Sequence, residues 1–235
     1  MTAPLVIAPD PLAACPPLLR WLLERSAPDD EALALLNPAR SLEELYGSWL
    51  QAGHLPSAIR LIAGVLPARE NVWWAWVSAR FAAQAPGAKA PPAAVHTALA
   101  AVEQWIVRPD DDARRKAWDV GNTAGLDTPV GMVAAAVFLS GNTVAPPNVP
   151  PVPPPPGAAL PLISGAILMA GAASGDPLQL APTLTAFAAQ GVEIIKRLNG
   201  WDAALQLAFD THQRLTQEYA RATAAPAAPA APPAR

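Results

Sequence analysis

Three histidines, His54, His96 and His212, are the residues in this sequence that could act as a general base or bind a metal at neutral pH. A metal site would need a second His, Cys or carboxylate at a spacing such as HxxxH or HxxE, and none of the three has one. His212 instead falls on a seam from Trp201 to Tyr219 whose members are spaced three and four apart. That spacing is typical of one helix face, so we interpret His212 as a partly buried packing residue.

The sequence offers no recognisable nucleophile or phosphate-binding loop. No serine stands in a GxSxG motif, and neither GxxxxGK[ST] nor GxGxxG occurs. Cys15, the only cysteine, lies among prolines with no cation close by to favour its thiolate. We therefore predict no catalytic, metal-binding or cofactor-binding residue and do not expect an enzyme.

Composition excludes several classes of protein. Of 235 residues, 52% are hydrophobic and only 15% are charged, against roughly 25% charged in a typical domain. The net charge of −3 and the lack of a basic face argue against nucleic acid as a partner. A lone thiol and an N-terminus with no basic region ahead of an apolar run favour a cytoplasmic location without a signal peptide.

Helical periodicity runs through most of the chain, and the alternation typical of strands is absent. Ser41 and Glu44, three residues apart, form a capping-box signature at one helix start. The expected fold class is all-α, a single multi-helix domain of eight or nine mostly antiparallel helices. Its expected parts are an extended N-terminal arm at residues 1–17, the helical domain at 18–221 and a disordered Ala/Pro tail at 222–235.

Residues 128–175 contain no charged side chain. Two apolar runs, at 129–141 and 160–174, flank a proline-rich strap at 146–157. Each run is shorter than the about 20 apolar residues that a bilayer span needs. We therefore predict two buried helices and no membrane insertion.

The strap is expected to cross the surface as a stiff polyproline segment. Its prolines could stack on the chain's own tryptophans, the alternative we favour because both ends of the strap join buried elements. They could instead dock into an aromatic groove of another protein. In that case Pro150, Pro151, Pro153 and Pro154 would bind the partner.

Three tryptophans stand within four residues, in "NVWWAWVSARF". On a helix Trp73, Trp74 and Trp76 would span about 160° of the circumference, more than the apolar stripe of an ordinary surface helix. Either the helix is central and surrounded by neighbours, which we favour, or at least one indole faces a partner. The spacing does not show which of the three that would be.

The triplet Gly-Asn-Thr occurs twice, beginning at Gly121 and at Gly141. Glycine followed by asparagine is typical of helix C-termini. We therefore predict that a helix ends at each copy.

The stretch "LPARENVWWAWVSAR", with "AVFLSGNTVAPPNVPPVPPPP" far downstream, resembles a bacterial family of unknown function. The members of that family carry a similar Arg-Glu-x-Val-Trp-Trp helix and a similar apolar helix leading into a proline strap. The resemblance covers roughly residues 40–200. Genes of this family are often found among type VI secretion clusters, which implies a cytoplasmic accessory of a contractile secretion machine. The family brings no catalytic residues.

The function we expect is that of a non-enzymatic adaptor that binds a protein partner, a secretion component or an effector. Two alternatives stay open. One is a structural module that self-associates through the Trp201–Tyr219 seam, since the sequence does not give the oligomeric state. The other is a divergent enzyme, which a deep pocket with several convergent polar groups would support.

Overall fold

A computed structural model describes residues 10–85, 92–173 and 175–224 of the chain. Within these ranges it contains eleven helices and no strand, which confirms the all-α fold class. The number exceeds the expected eight or nine. The helices are α1 (Pro17–Ser26), α2 (Asp30–Leu33), α3 (Leu42–Gln51), α4 (Leu55–Val65), α5 (Ala68–Ala83), α6 (Ala93–Val107), α7 (Asp111–Ala124), α8 (Pro129–Leu139), α9 (Leu160–Gly171), α10 (Pro177–Arg197) and α11 (Trp201–Thr223).

Helices α4, α5 and α9 form the centre of the domain. Helix α4 is apolar almost all round and packs against α1, α3, α9, α10 and α11. Helices α6, α7, α8 and α9 each pack against the next in sequence, and α5 also contacts α6, α8, α9 and α10. One continuous hydrophobic core therefore includes residues from α1 to α11.

Polar side chains at the helix starts determine where several helices begin. The capping box predicted at Ser41 forms, since the Glu44 N–H donates to Ser41 Oγ and Glu44 Oε2 accepts from the Ser41 N–H. Asp29, Asp110 and Thr128 each accept a backbone N–H at the starts of α2, α7 and α8. These caps use N–H groups that have no partner within the helix.

The uncharged region forms α8 and α9, as predicted, and the two helices pack against each other. Small residues allow the close approach: a Cβ at Gly165 of α9 would overlap the end of the Met132 side chain on α8. Among the described helices, none combines the length and apolar character that a membrane span needs.

The ends of the chain are described only in part. Residues 10–16, which we predicted to be extended, fold into consecutive turns because Asp10 accepts the Leu12 N–H and its carboxylate pairs with Arg20 at 2.9 Å. At the other end α11 continues to Thr223. The rest of the predicted arm, residues 1–9, and of the predicted tail, residues 225–235, lie outside the described ranges.

The two Gly-Asn-Thr copies have different roles. Helix α8 ends just before Gly141, as predicted, but Gly121 lies inside α7, which continues to Ala124. The prediction of a helix end at Gly121 is therefore wrong. The reason is tertiary: a Cβ at Gly121 would overlap the Cβ of Ala134 on α8, so the glycine permits these helices to touch.

We expect Gly121→Ala to lower the free energy of unfolding by about 1–3 kcal/mol, because the added methyl overpacks the contact between α7 and α8. Urea denaturation of the purified chain measures this. Gly47→Ala in α3 is the matched control, since nothing lies within 4 Å of its added Cβ. There the better helix propensity of alanine should raise the free energy by up to about 1 kcal/mol. Equal effects at both positions would contradict the packing argument.

Candidate functional site

The strap, residues 146–157 between α8 and α9, is held within the chain by hydrogen bonds around its start. The Val144 N–H donates to the Val152 carbonyl at 2.7 Å, and the Val152 N–H donates to Thr143 Oγ1 at 2.8 Å. Thr143 Oγ1 also accepts the Ala145 N–H. The segment from 143 to 152 is therefore a closed loop, from which residues 153–157 lead to α9.

Arg114 of α7 holds this loop in place through hydrogen bonds. Its side chain is only 3% exposed. Its Nη1 donates to the Phe138 carbonyl at 2.6 Å, and its Nη2 donates to the Thr143 carbonyl at 3.0 Å. Asp111 accepts from Nε and Nη2 of the same guanidinium and so neutralises its charge. A Cβ at Gly141 would overlap the Arg114 side chain, so the chain passes directly against the guanidinium.

A cavity of about 430 Å³ opens between the strap and α11. We call it the strap groove. It is lined by strap residues between 151 and 157, by one face of α11 between Leu207 and Ala222, and by the first turns of α5. Val72 and Ile163, which are fully buried, form its floor. The volume falls within the range of about 300–1,000 Å³ found for ligand pockets.

Three polar residues from different helices line this mostly apolar groove. Arg25 of α1 has a buried Nε and Nη1 with no hydrogen-bond partner, and Asn71 of α5 has a buried, unpartnered Oδ1. His212 of α11 lies 5.3 Å from the Trp21 ring. Burial, and secondarily the charge of Arg25, holds the pKa of the His212 imidazole below its ordinary value.

A family model described as a family of unknown function, DUF6931, matches residues 45–195. The chain belongs to this family. No curated protein and no solved structure matches the chain.

The DUF6931 match contains only part of the strap groove. It runs from within α3 to within α10, and so includes Arg114, the strap and the floor at α5. Helices α1 and α11 lie outside it, and they contribute Arg25 and His212. The groove is thus built from the DUF6931 region and from helices that precede and follow it.

Trp73, Trp74 and Trp76, the candidate partner contacts if the helix is not central, have different environments. Trp74 is fully buried, and its Nε1 donates to the Phe187 carbonyl of α10 at 2.8 Å. Trp76 is 6% exposed, and its Nε1 donates to the Leu99 carbonyl of α6 at 2.9 Å. Neither indole offers a surface to a partner, so these two agree with the central helix that we favoured and not with the partner contact that was its alternative. Trp73, 38% exposed, stays a candidate contact.

The four strap prolines predicted as partner contacts also differ from one another. Pro151, Pro153 and Pro154 line the strap groove, whereas Pro150 is exposed outside it. No tryptophan stands in the described wall of the groove, so these prolines face α11 and α5 across it rather than an indole. Whether the strap binds a partner stays a prediction.

The surroundings of Cys15 differ from our expectation, because they include a cation. Arg20 does approach Cys15, although burial raises the pKa of the thiol more than this cation lowers it. Among the described residues, no group of three or more His, Cys, Asp and Glu side chains is placed to hold a metal ion.

Sequence reasoning did not find Arg25 or Asn71 as groove residues. An arginine near a helix C-terminus is ordinarily a solvated charge that complements the helix dipole. Asn71 looked like one polar residue within an apolar helix. What distinguishes both is the absence of a partner for a buried atom, which appears only when α1, α5 and α11 are brought together.

We expect Arg114→Met to lower the free energy of unfolding by about 3 kcal/mol, because two part-buried carbonyls lose their donor and Asp111 keeps only Arg115 as a partner. Chemical denaturation measures the change. Lys116→Met, two residues along α7 and exposed, is the control and should alter stability by less than about 0.5 kcal/mol. A loss at Arg114 no larger than in the control would show that the strap is not fastened there.

Proposed function

We propose that the protein is a non-enzymatic accessory that binds a segment of another protein in the strap groove. The observation that carries this proposal is the groove itself, an open and largely apolar cavity between the strap and α11. Apolar concave surfaces with a few polar groups are where proteins ordinarily bind ligands.

The chemistry of the groove walls favours an extended polypeptide. The prolines at 151 and 153–156 have no backbone N–H, so this wall can accept hydrogen bonds through its carbonyls but cannot donate them from those residues. An extended segment has N–H groups to donate and apolar side chains to place against the proline rings and Leu215. Its binding would thus complement a wall of acceptors.

The partner we propose is a component or effector of a bacterial secretion system, with the type VI system as the leading candidate, encountered in the cytoplasm. The support for this context is that the Trp-Trp helix and the strap resemble a family whose genes are often found in such clusters. Membership of DUF6931 supplies no activity.

Self-association through the α11 seam is supported less well. Trp201, Leu205 and Ala208 from the first half of the seam are buried within their own chain, and the Trp201 ring lies 5.4 Å from that of Tyr46. Only the second half of the seam, with Leu215, is left to meet another copy.

A divergent enzyme would use His212, the histidine in the groove. In the described part of the chain its hydrogen-bond contact is a long one, 3.5 Å, to Thr216, with no carboxylate to orient the ring. A catalytic base ordinarily has such an orienting group.

Affinity capture from the native host tests the proposed function. The wild-type chain should retain a partner that Leu215→Arg does not retain, because Leu215 lines the groove and is 39% exposed, so that a charge there enters the binding surface. Leu178→Arg is the matched control, since Leu178 is 82% exposed on α10 outside the groove. Capture by the control but not by Leu215→Arg is the expected result.

Two outcomes would contradict the proposal. Wild type could retain nothing above background, or Leu215→Arg could retain the same partner as wild type. Light scattering of the wild-type chain distinguishes self-association, which would give a dimer that Leu215→Arg abolishes.

A further inference from the structure

Arg25 is a partly buried cation that pairs with no carboxylate among the described residues. Its guanidinium lies 4.5 Å from the centroid of the Trp21 ring, and neither Nε nor Nη1 donates a hydrogen bond. Burial lowers its pKa to about 10, which still leaves the group charged at neutral pH. The C-terminal dipole of α1 favours a positive charge there, but it supplies no acceptor to these two atoms.

Among the described residues, no carboxylate pairs with Arg25. Glu24, the neighbouring acid, binds Arg20 at 2.8 Å. Glu218, the acid that lines the strap groove, lies 3.9 Å from Arg214. The segments outside the described ranges contain no Asp or Glu at all. Nε and Nη1 of Arg25 are therefore free to pair with a carboxylate of another molecule.

A second, smaller cavity of about 310 Å³ begins on the other side of Arg25. Arg60 and Ser26 line it with Arg25, and no acidic residue does. The Ser26 Oγ is buried and has no hydrogen-bond partner, while Arg60 donates through Nη1 to the Ala27 carbonyl at 3.0 Å. Two cations and a free hydroxyl donor around one space favour a negatively charged group.

The strap groove also contains a hydrogen-bond acceptor without a donor. Asn71 donates through Nδ2 to the Ala63 and Leu66 carbonyls, and its buried Oδ1 accepts nothing. An N–H donor is required there, and a polypeptide backbone supplies one. Anion-binding groups near Arg25 thus adjoin an apolar groove that needs N–H donors.

We propose that the strap groove binds an extended segment of a partner protein in which an acidic side chain stands among apolar residues, with its carboxylate bound between Arg25, Ser26 and Arg60. This inference rests on the proposed function and adds the chemistry of the partner. The unpartnered atoms of Arg25 and Ser26 are buried, so these side chains would turn toward the carboxylate to donate to it. The apolar neighbours would lie against the strap prolines and α11.

Peptide selection on the full chain tests the inference. A displayed library of random peptides, about twelve residues long, is selected against wild type, Arg25→Gln and Arg20→Gln. Arg20 is the matched control because it lies one turn or so away on α1 and pairs with Glu24 and Asp10 outside both cavities. Wild type and Arg20→Gln should enrich peptides that share an acidic residue flanked by apolar ones. Such peptides should bind Arg25→Gln about tenfold or more weakly.

A change in the peptide provides a second test, and its measurement on wild type does not depend on how the variant folds. Replacing the shared acid by its amide should weaken binding to wild type about tenfold, yet have little effect on Arg25→Gln, because the two changes remove one interaction. The thermal midpoint of Arg25→Gln should lie close to that of wild type, since Nε and Nη1 have no hydrogen bond to lose and the contact with the Trp21 ring is the interaction removed.

The outcomes separate the two proposals. Enriched peptides that lack an acid, or that bind Arg25→Gln and wild type equally, would overturn the inference and leave the proposed function standing. If wild type enriches no peptide at all, both are overturned.

Discussion

The buried guanidinium of Arg114 holds the loop before the strap against α7 and the end of α8. A proline strap cannot make a hydrogen-bonded ladder of its own, because most of its residues lack an N–H. It must therefore be held from outside. Arg114 does this by donating to carbonyls at the end of α8 and at the start of the loop, while Arg115 donates to Ala145. The position of one groove wall depends on these bonds.

The tryptophans determine the position of α5, which contributes to the floor of the groove. Trp74 and Trp76 each bury a large ring and satisfy the indole N–H with a carbonyl of another helix. This fixes α5 between α6 and α10 and so provides a rigid floor. Helix α11 is fastened only over its first turns, so its second half can form a wall without being part of the core. The groove thus lies between the well-packed part of the domain and two elements at its edge, the strap and the second half of α11.

The sequence predicted the elements better than their contacts. The capping box at Ser41 and the two buried helices in the uncharged region follow from local spacing and hydrophobicity. Gly121 was misinterpreted because its reason for being glycine is a neighbour on another helix. Arg25 was missed for a similar reason: an arginine without a partner is recognised only once every nearby acceptor is known. Local sequence does not carry that information.

Amide hydrogen exchange at the strap tests the central claim most directly, namely that the strap is held in place within the free chain. The N–H groups of Val144 and Val152 donate to the Val152 carbonyl and to Thr143 Oγ1. In the absence of any partner we predict that both exchange at least about 100-fold more slowly than in an unstructured peptide. Exchange at the unstructured rate would contradict the account, because the groove would then lack a fixed wall.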